Sequence, residues 1–209
     1  MSSPAGHASI YLGVKGPVLT TSDISLSMGT ALLSSADLLV ADEADVVVAS
    51  TVAERDRIVE NVVGPRTYGR GLCTPPLSPG AAAFVLEHER DGREALCVLH
   101  DYQDGTNLSD WVSSEPPAEP ALVVLPRPSA DWDEALDRSP WRAVKRLVTS
   151  RRAGSNEASL AVALGAGIAA LARGGARAVL VVDHWREPSG PAPSAPARWA
   201  AFTFVKADA

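Results

Sequence analysis

Two segments of this chain carry apolar or small residues around the whole circumference of a helix, and this constrains the fold more than any other feature. The first starts at Ser25 and puts Leu26, Met28, Ala31, Leu32, Ala36, Leu38 and Leu39 on every side. The second, Glu157 to Arg173, stops at Gly174-Gly175, a strong C-terminal signal. A helix without a polar face has to be buried all round. Each is followed by a valine-rich stretch, Asp45 to Ser50 and Ala178 to Val182, with the composition of a strand. Strands alternating with helices imply a layered α/β fold, and two such helices imply a central helix layer between two sheets. The run Val46-Val47-Val48 is expected to be covered on both faces.

Other elements follow from punctuation and period. Val18 to Ser22 alternates and is β-branched, which predicts a strand, with Asp23 or Ser25 placed to cap the helix after it. Gly64 to Gly80 is rich in Pro and Gly and reads as a long loop. Ala81 to Glu87 and Glu94 to Tyr102 predict two strands separated by the turn signal Asp91-Gly92. Glu115 to Pro120 is a linker before the strand Ala121 to Leu125. Trp132 to Leu147 has helical spacing through Leu136, Val144 and Leu147, with basic residues along the opposite side. Pro188 to Pro196 leads into a last strand, Trp199 to Val205. The division expected is residues 1–93 and 94–209, two similar halves packed as one globular unit.

Charge and cysteine usage exclude several function classes. A net charge of −6 and 5% aromatic residues leave neither a cationic surface for nucleic acid nor a platform for stacking bases. Cys73 and Cys97 are too few for a disulfide framework or a structural zinc site. No uncharged apolar run is long enough to span a bilayer, and Met1 to His7 has no secretory pattern, so a reduced, cytoplasmic setting without a membrane partner is expected. No cofactor motif is present. Gly165-Ala166-Gly167 lies inside a helix and is read as a close-packing site, not a phosphate loop.

Several stretches resemble the ketosynthases. Ala5-Gly6-His7 through Gly16-Pro17 is similar to the segment leading into the nucleophile strand, and Val18 to Ser25 resembles that strand and its elbow. Ala44-Asp45-Val46-Val47-Val48-Ala49 resembles the strand after the nucleophile helix. Leu77-Ser78-Pro79-Gly80 through Leu86-Glu87 is similar to the glycine- and alanine-rich strand ending in Leu-Glu. Arg152-Ala153-Gly154-Ser155 through Gly165 resembles the segment that carries a catalytic histidine. The resemblance implies a thiolase-like layered fold (αβαβα), truncated in its N-terminal half because the chain begins near the segment before the nucleophile.

The departures bear on chemistry. On this alignment Ser25 stands where the nucleophilic cysteine belongs and Ser155 where histidine belongs, and no histidine occurs between His100 and His184. Condensation needs a thiolate to hold the acyl chain and imidazole donors to stabilise an enolate. A serine without a base supplies neither, so no residue is assigned a catalytic role. The resemblance implies instead a chain-length factor, the inactive partner in a type II polyketide or polyene synthase, paired with a full-length ketosynthase and served by an acyl carrier protein with its phosphopantetheine arm. Val18, Leu19, Thr20, Thr21 and Ser22 are then the partner interface, and Leu19, Ile24, Leu26 and Met28 line or cap the acyl tunnel. Arg138, Arg142, Lys145 and Arg146, with Arg151 and Arg152 nearby in sequence, form a basic group that is either a solvated helix face or a docking patch for the acidic carrier.

The remaining candidates have plainer readings. Ser25 is a helix-capping serine unless it acts as the nucleophile of a malonyl-thioester decarboxylase or hydrolase, the alternative function; a solitary ligand-binding remnant is a third. His7 is expected on a helix and His88 beside a turn in solvent. His100-Asp101 and Asp183-His184 are read as polar strand ends, and no ligand spacing supports a metal. Asp131 and Glu134 are expected in the first turn of the helix from Trp132, where acids complement the dipole.

Overall fold

A computed structural model of the protein describes residues 4–21, 26–53, 78–88, 94–154, 158–185 and 198–207. The elements in chain order are α1 (Pro4–Leu12), α2 (Ser27–Val40), β1 (Val46–Ala53), β2 (Gly80–Glu87), β3 (Cys97–Gly105), β4 (Ala121–Leu125), α3 (Ala130–Asp137), β5 (Lys145–Val148), α4 (Ser159–Ala172), β6 (Ala178–Trp185) and β7 (Arg198–Lys206). Short 3-10 turns at Leu108–Asp110 and Pro140–Ala143 and one helical turn at Ser150–Ala153 complete the set.

Two sheets enclose the central helices. β1 and β2 form an antiparallel pair, and the second sheet has the order β3-β7-β6-β4-β5, with β4 parallel to β5 and β6 and the other pairs antiparallel. Leu26 at the N-cap of α2, Met28 and Leu32 within it, and Leu160, Leu164 and Leu171 from α4 share one core with Phe84 and Leu86 of β2 and Val124, Val179, Val181 and Phe202 of the larger sheet. The central helix layer expected from the sequence is therefore present. On the far face of the larger sheet, Trp132 and Leu136 of α3 pack with Trp141, Trp199, Val123 and Val182 as a second core.

Approach between layers is close enough to demand glycine at two places. A Cβ at Gly29 in α2 would stand 2.8 Å from Cζ of the buried Phe202 ring, and one at Gly167 in α4 would stand 2.8 Å from Val179 Cγ1. The close packing read at Gly165-Ala166-Gly167 thus belongs to Gly167 and is made against β6; nothing lies within 4 Å of a Cβ at Gly165. Both central helices end alike. The Gly174 amide donates to Leu171 O and the Gly175 amide to Ala170 O, with Gly174 at φ +70°. In α2 the Asp42 amide donates to Leu39 O and the Glu43 amide to Leu38 O, with Asp42 at φ +56°. These are paired Schellman closures.

Several expectations are corrected. Val18 to Thr21 runs outside any helix or strand, because the described residues offer it no neighbouring strand to complete a ladder; Ser22 lies outside the described residues. β1 is covered on one face only: inward Ala49 and Ala53 are buried, whereas Val48 is 50% and Val52 65% exposed. The strands around Asp91-Gly92 do not pair as a hairpin, since β2 joins β1 and β3 joins β7; the turn itself is outside the described residues. The helix expected over Trp132 to Leu147 is instead α3, a 3-10 turn and β5. Ser139-Pro140 is the break: Ser139 Oγ accepts from the Trp141 amide at 3.1 Å and donates to Leu136 O at 2.8 Å, ending one element and starting the next. The basic residues consequently do not share one helix face.

Candidate functional site

The carboxyl ends of β4 and β6 are adjacent because these strands run parallel, with Val124 opposite Val181. Arg127 follows β4 after Pro126, and Asp183 stands two residues beyond Val181 on β6, facing the central helix layer like Val181. Arg127 donates from one terminal nitrogen to Asp183 Oδ1 at 3.1 Å, Oδ2 at 3.4 Å and His184 O at 3.1 Å. The His184 amide donates to Asp183 Oδ1 at 2.8 Å. Burial pushes the Asp183 carboxyl above the ordinary carboxylate range, against the lowering pull of Arg127 and of the His184 amide.

The segment after β5 is sewn onto the same end. The Thr149 amide donates to Leu125 O and the Ser150 amide to Pro126 O, both at 2.9 Å, and Thr149 Oγ1 reaches Pro126 O at 3.3 Å. Ser150 Oγ is buried without a partner. The helical turn closes on Gly154 at φ +73°, a conformation that favours glycine, and Ser78 Oγ, two residues before β2, donates to Ala153 O. Ser155, like Ser25, lies outside the described residues.

Among the described residues, thiol and imidazoles stand apart. Cys97, at the start of β3, is partly buried, and burial pushes its thiol up to about 11, the opposite of an activated nucleophile. His7 is exposed on α1 and His100 exposed in β3, where the register with β7 shifts. His88 is not solvated as expected: its Nε2 meets Leu39 O at 2.6 Å, tying the end of β2 to α2. His184 sits on the other sheet face from Asp183, with Nδ1 3.4 Å from Asp131 Oδ2 in the first turn of α3. Glu134 pairs with Arg138. No group of three or more His, Cys, Asp or Glu side chains is placed to hold a metal ion among the described residues.

The interface and tunnel candidates are spread over surface and core. Val18 and Leu19 are exposed, Leu19 at 56%, and they continue an apolar run in which Ile10 is 78% and Tyr11 89% exposed. Leu26 and Met28 are buried in the central core, while Ile24 lies outside the described residues. Arg146 is bound to Asp133 and Asp137, which leaves Arg142 and Lys145 as the exposed members of the proposed docking set beside Arg138.

Solved structures with this arrangement share its layers over nearly the whole chain. One is the AntDE:AntF assembly, a type II PKS acyl-carrier protein in complex with its ketosynthase bound to the hexaketide: TM-score 0.67, 16% identity, 98% of this chain and 63% of that chain covered. Another is the ishigamide ketosynthase/chain length factor, with TM-score 0.65, 17% identity, and coverage of 97% and 60%. A third is the β-ketoacyl-[acyl carrier protein] synthase III of Thermus thermophilus, with TM-score 0.60, 16% identity, and coverage of 98% and 73%. The fold is that of the ketosynthases. This thiolase-like ketosynthase fold is held here by a chain spanning about three fifths of the first two structures. No protein-family profile matches the sequence, and no curated protein matches it. No helix among the described residues is long and apolar enough to cross a membrane.

The Arg127–Asp183 pair escaped the sequence reading, although a signal existed. Asp183 ends the run Ala178-Val-Leu-Val-Val182, and an acid continuing a buried strand requires a cation or donor beside it. Its partner lies 56 residues away, a distance that periodicity does not bridge.

Proposed function

We propose that this chain is a non-catalytic, ketosynthase-like subunit that pairs with a full-length ketosynthase and helps to shape its acyl tunnel, in the manner of a chain-length factor. The observation that carries the reading is the exposed apolar run from Ile10 through Val14 to Val18 and Leu19, at the start of a ketosynthase fold. Exposed apolar side chains gathered in one segment mark an interaction surface. Val18 to Thr21 also runs outside any helix or strand beside these side chains, an extended edge that a strand of a second chain would meet. Lack of catalysis is supported by Ser25 and Ser155 at the positions that the alignment gives the cysteine and histidine, and by the burial that pushes the Cys97 thiol up. On this reading residues 1–93 are the reduced first half of the fold and residues 94–209 the second. Leu26 and Met28 support the tunnel wall from inside the core, and Leu19 is the side chain offered to the partner's lumen.

Co-expression with a full-length type II ketosynthase tests the proposal. The variant Tyr11→Asp/Leu19→Asp is expected to lose co-elution in gel filtration while keeping the circular dichroism and melting curve of the parent, since both side chains are exposed. In the complex, Leu19→Trp is expected to shorten the products seen by mass spectrometry. Co-elution of the double variant with the ketosynthase overturns the interface; an unaltered product profile overturns the role of Leu19.

A further inference from the structure

Strand register brings five cationic residues to one rim of the five-stranded sheet. Lys145 opens β5 opposite Leu122. Arg177 precedes β6, and Lys206 closes β7; with Ala178 opposite Val205, Arg177 and Lys206 are neighbours, and the Lys206 amide donates to Arg177 O at 2.9 Å. Arg173 caps the C-terminus of α4 four residues earlier, and Arg142 lies in the 3-10 turn just before β5. All five are exposed. The acids of the described residues that flank this rim in sequence are Glu94, before β3, Glu115, next to Ser114, whose carbonyl accepts from Trp141 Nε1 beside Arg142, and Glu119, before Pro120, whose carbonyl accepts from the Arg177 amide at 2.7 Å. The rim is therefore cationic on balance in a chain whose net charge is −6.

We propose that this rim docks an acidic protein surface, and, resting on the function proposed above, that this surface belongs to the acyl carrier protein. The row crosses β5, β4, β6 and β7, three strand spacings or about 14 Å. Donors strung along that length fit acids spaced along a helix or strand, whereas a single phosphate is held by converging donors. A nucleic acid is disfavoured by the negative charge of the rest of the molecule. The docking set read from sequence thus shifts: Arg142 and Lys145 stay in it, Arg138 and Arg146 are held by acids of α3 and leave it, and Arg173 and Lys206 enter.

The test uses holo acyl carrier protein of a type II system as the probe, against the complex with the ketosynthase and against the chain alone. The rim variant Lys145→Glu/Arg173→Glu/Lys206→Glu is compared with Arg138→Glu/Arg151→Glu/Arg152→Glu, an equal charge change at exposed sites away from the rim. Association at 50 mM NaCl is expected to slow about tenfold for the rim variant and less than about twofold for the control, a gap that closes at 300 mM NaCl. Equal slowing in both variants, no slowing in either, or binding only to 3:1 phosphatidylcholine–phosphatidylglycerol vesicles overturns the proposal. Gel filtration separates the two claims. Loss of pairing in the parent protein counts against the proposed function, and intact pairing with unchanged carrier association counts against the rim alone.

Discussion

Arg127 and Asp183 meet where β4 and β6 end, and removing one of them is not equivalent to removing both. Asp183 is withdrawn from water and has a guanidinium and its neighbour's amide for compensation. Arg127→Met takes away the cation and leaves a buried carboxyl, which is expected to cost about 3 kcal/mol in urea unfolding. Arg127→Met/Asp183→Leu removes the orphan as well and is expected to recover to within about 1 kcal/mol of the parent. Additive losses in the two single variants and the double variant would show that the pair is not coupled. Because Arg127 also holds His184 O, the pair anchors the connection from β4 to α3 on β6. That anchoring fits a scaffold role at the end of the sheet.

The elements differ in how openly the sequence declared them. The helix at Glu157 to Arg173 and the strand after it were legible because composition, period and the Gly174-Gly175 stop agree, and the structure places them at Ser159–Ala172 and Ala178–Trp185. Trp132 to Leu147 was misread because Leu136, Val144 and Leu147 keep helical spacing across a break; Ser139-Pro140 carried the contrary signal. The valines of β1 read as doubly buried, since a run of apolar residues does not reveal whether a second layer exists to cover it. At the site, Ser25 and Ser155 lie outside the described residues, and the Arg127–Asp183 pair was hidden because it depends on tertiary proximity. The closure of α2 was also hidden, because Asp42 rather than glycine takes the left-handed position there. Asp42→Gly is therefore expected to stabilise the protein by about 0.5–1 kcal/mol, seen as a higher urea midpoint with unchanged slope. A lower midpoint would mean that the Asp42 side chain contributes more than its backbone conformation costs.

At the scale of the whole molecule, the two sheets are unequal partners of the same helix layer. Among the described residues the larger has five strands and a core on each face; the smaller has two strands, one buried face and an outer face on which Val85 is 69% exposed. A two-stranded ribbon owes its order to what it packs against. Amides of β1 and β2 are therefore expected to exchange with deuterium at least about tenfold faster than those of β4 and β6 in the isolated chain. Slowing of that exchange on pairing with the ketosynthase would mark the ribbon as part of the contact, and equal protection in both sheets would contradict the inequality drawn here. The near-contact of Gly167 with Val179 has a consequence of its own. With helix backbone and strand side chain this close, no space opens between α4 and the broad sheet at that point, so under the proposed function room for a lengthening hydrocarbon tail would have to come from the opposite flank or from the partner.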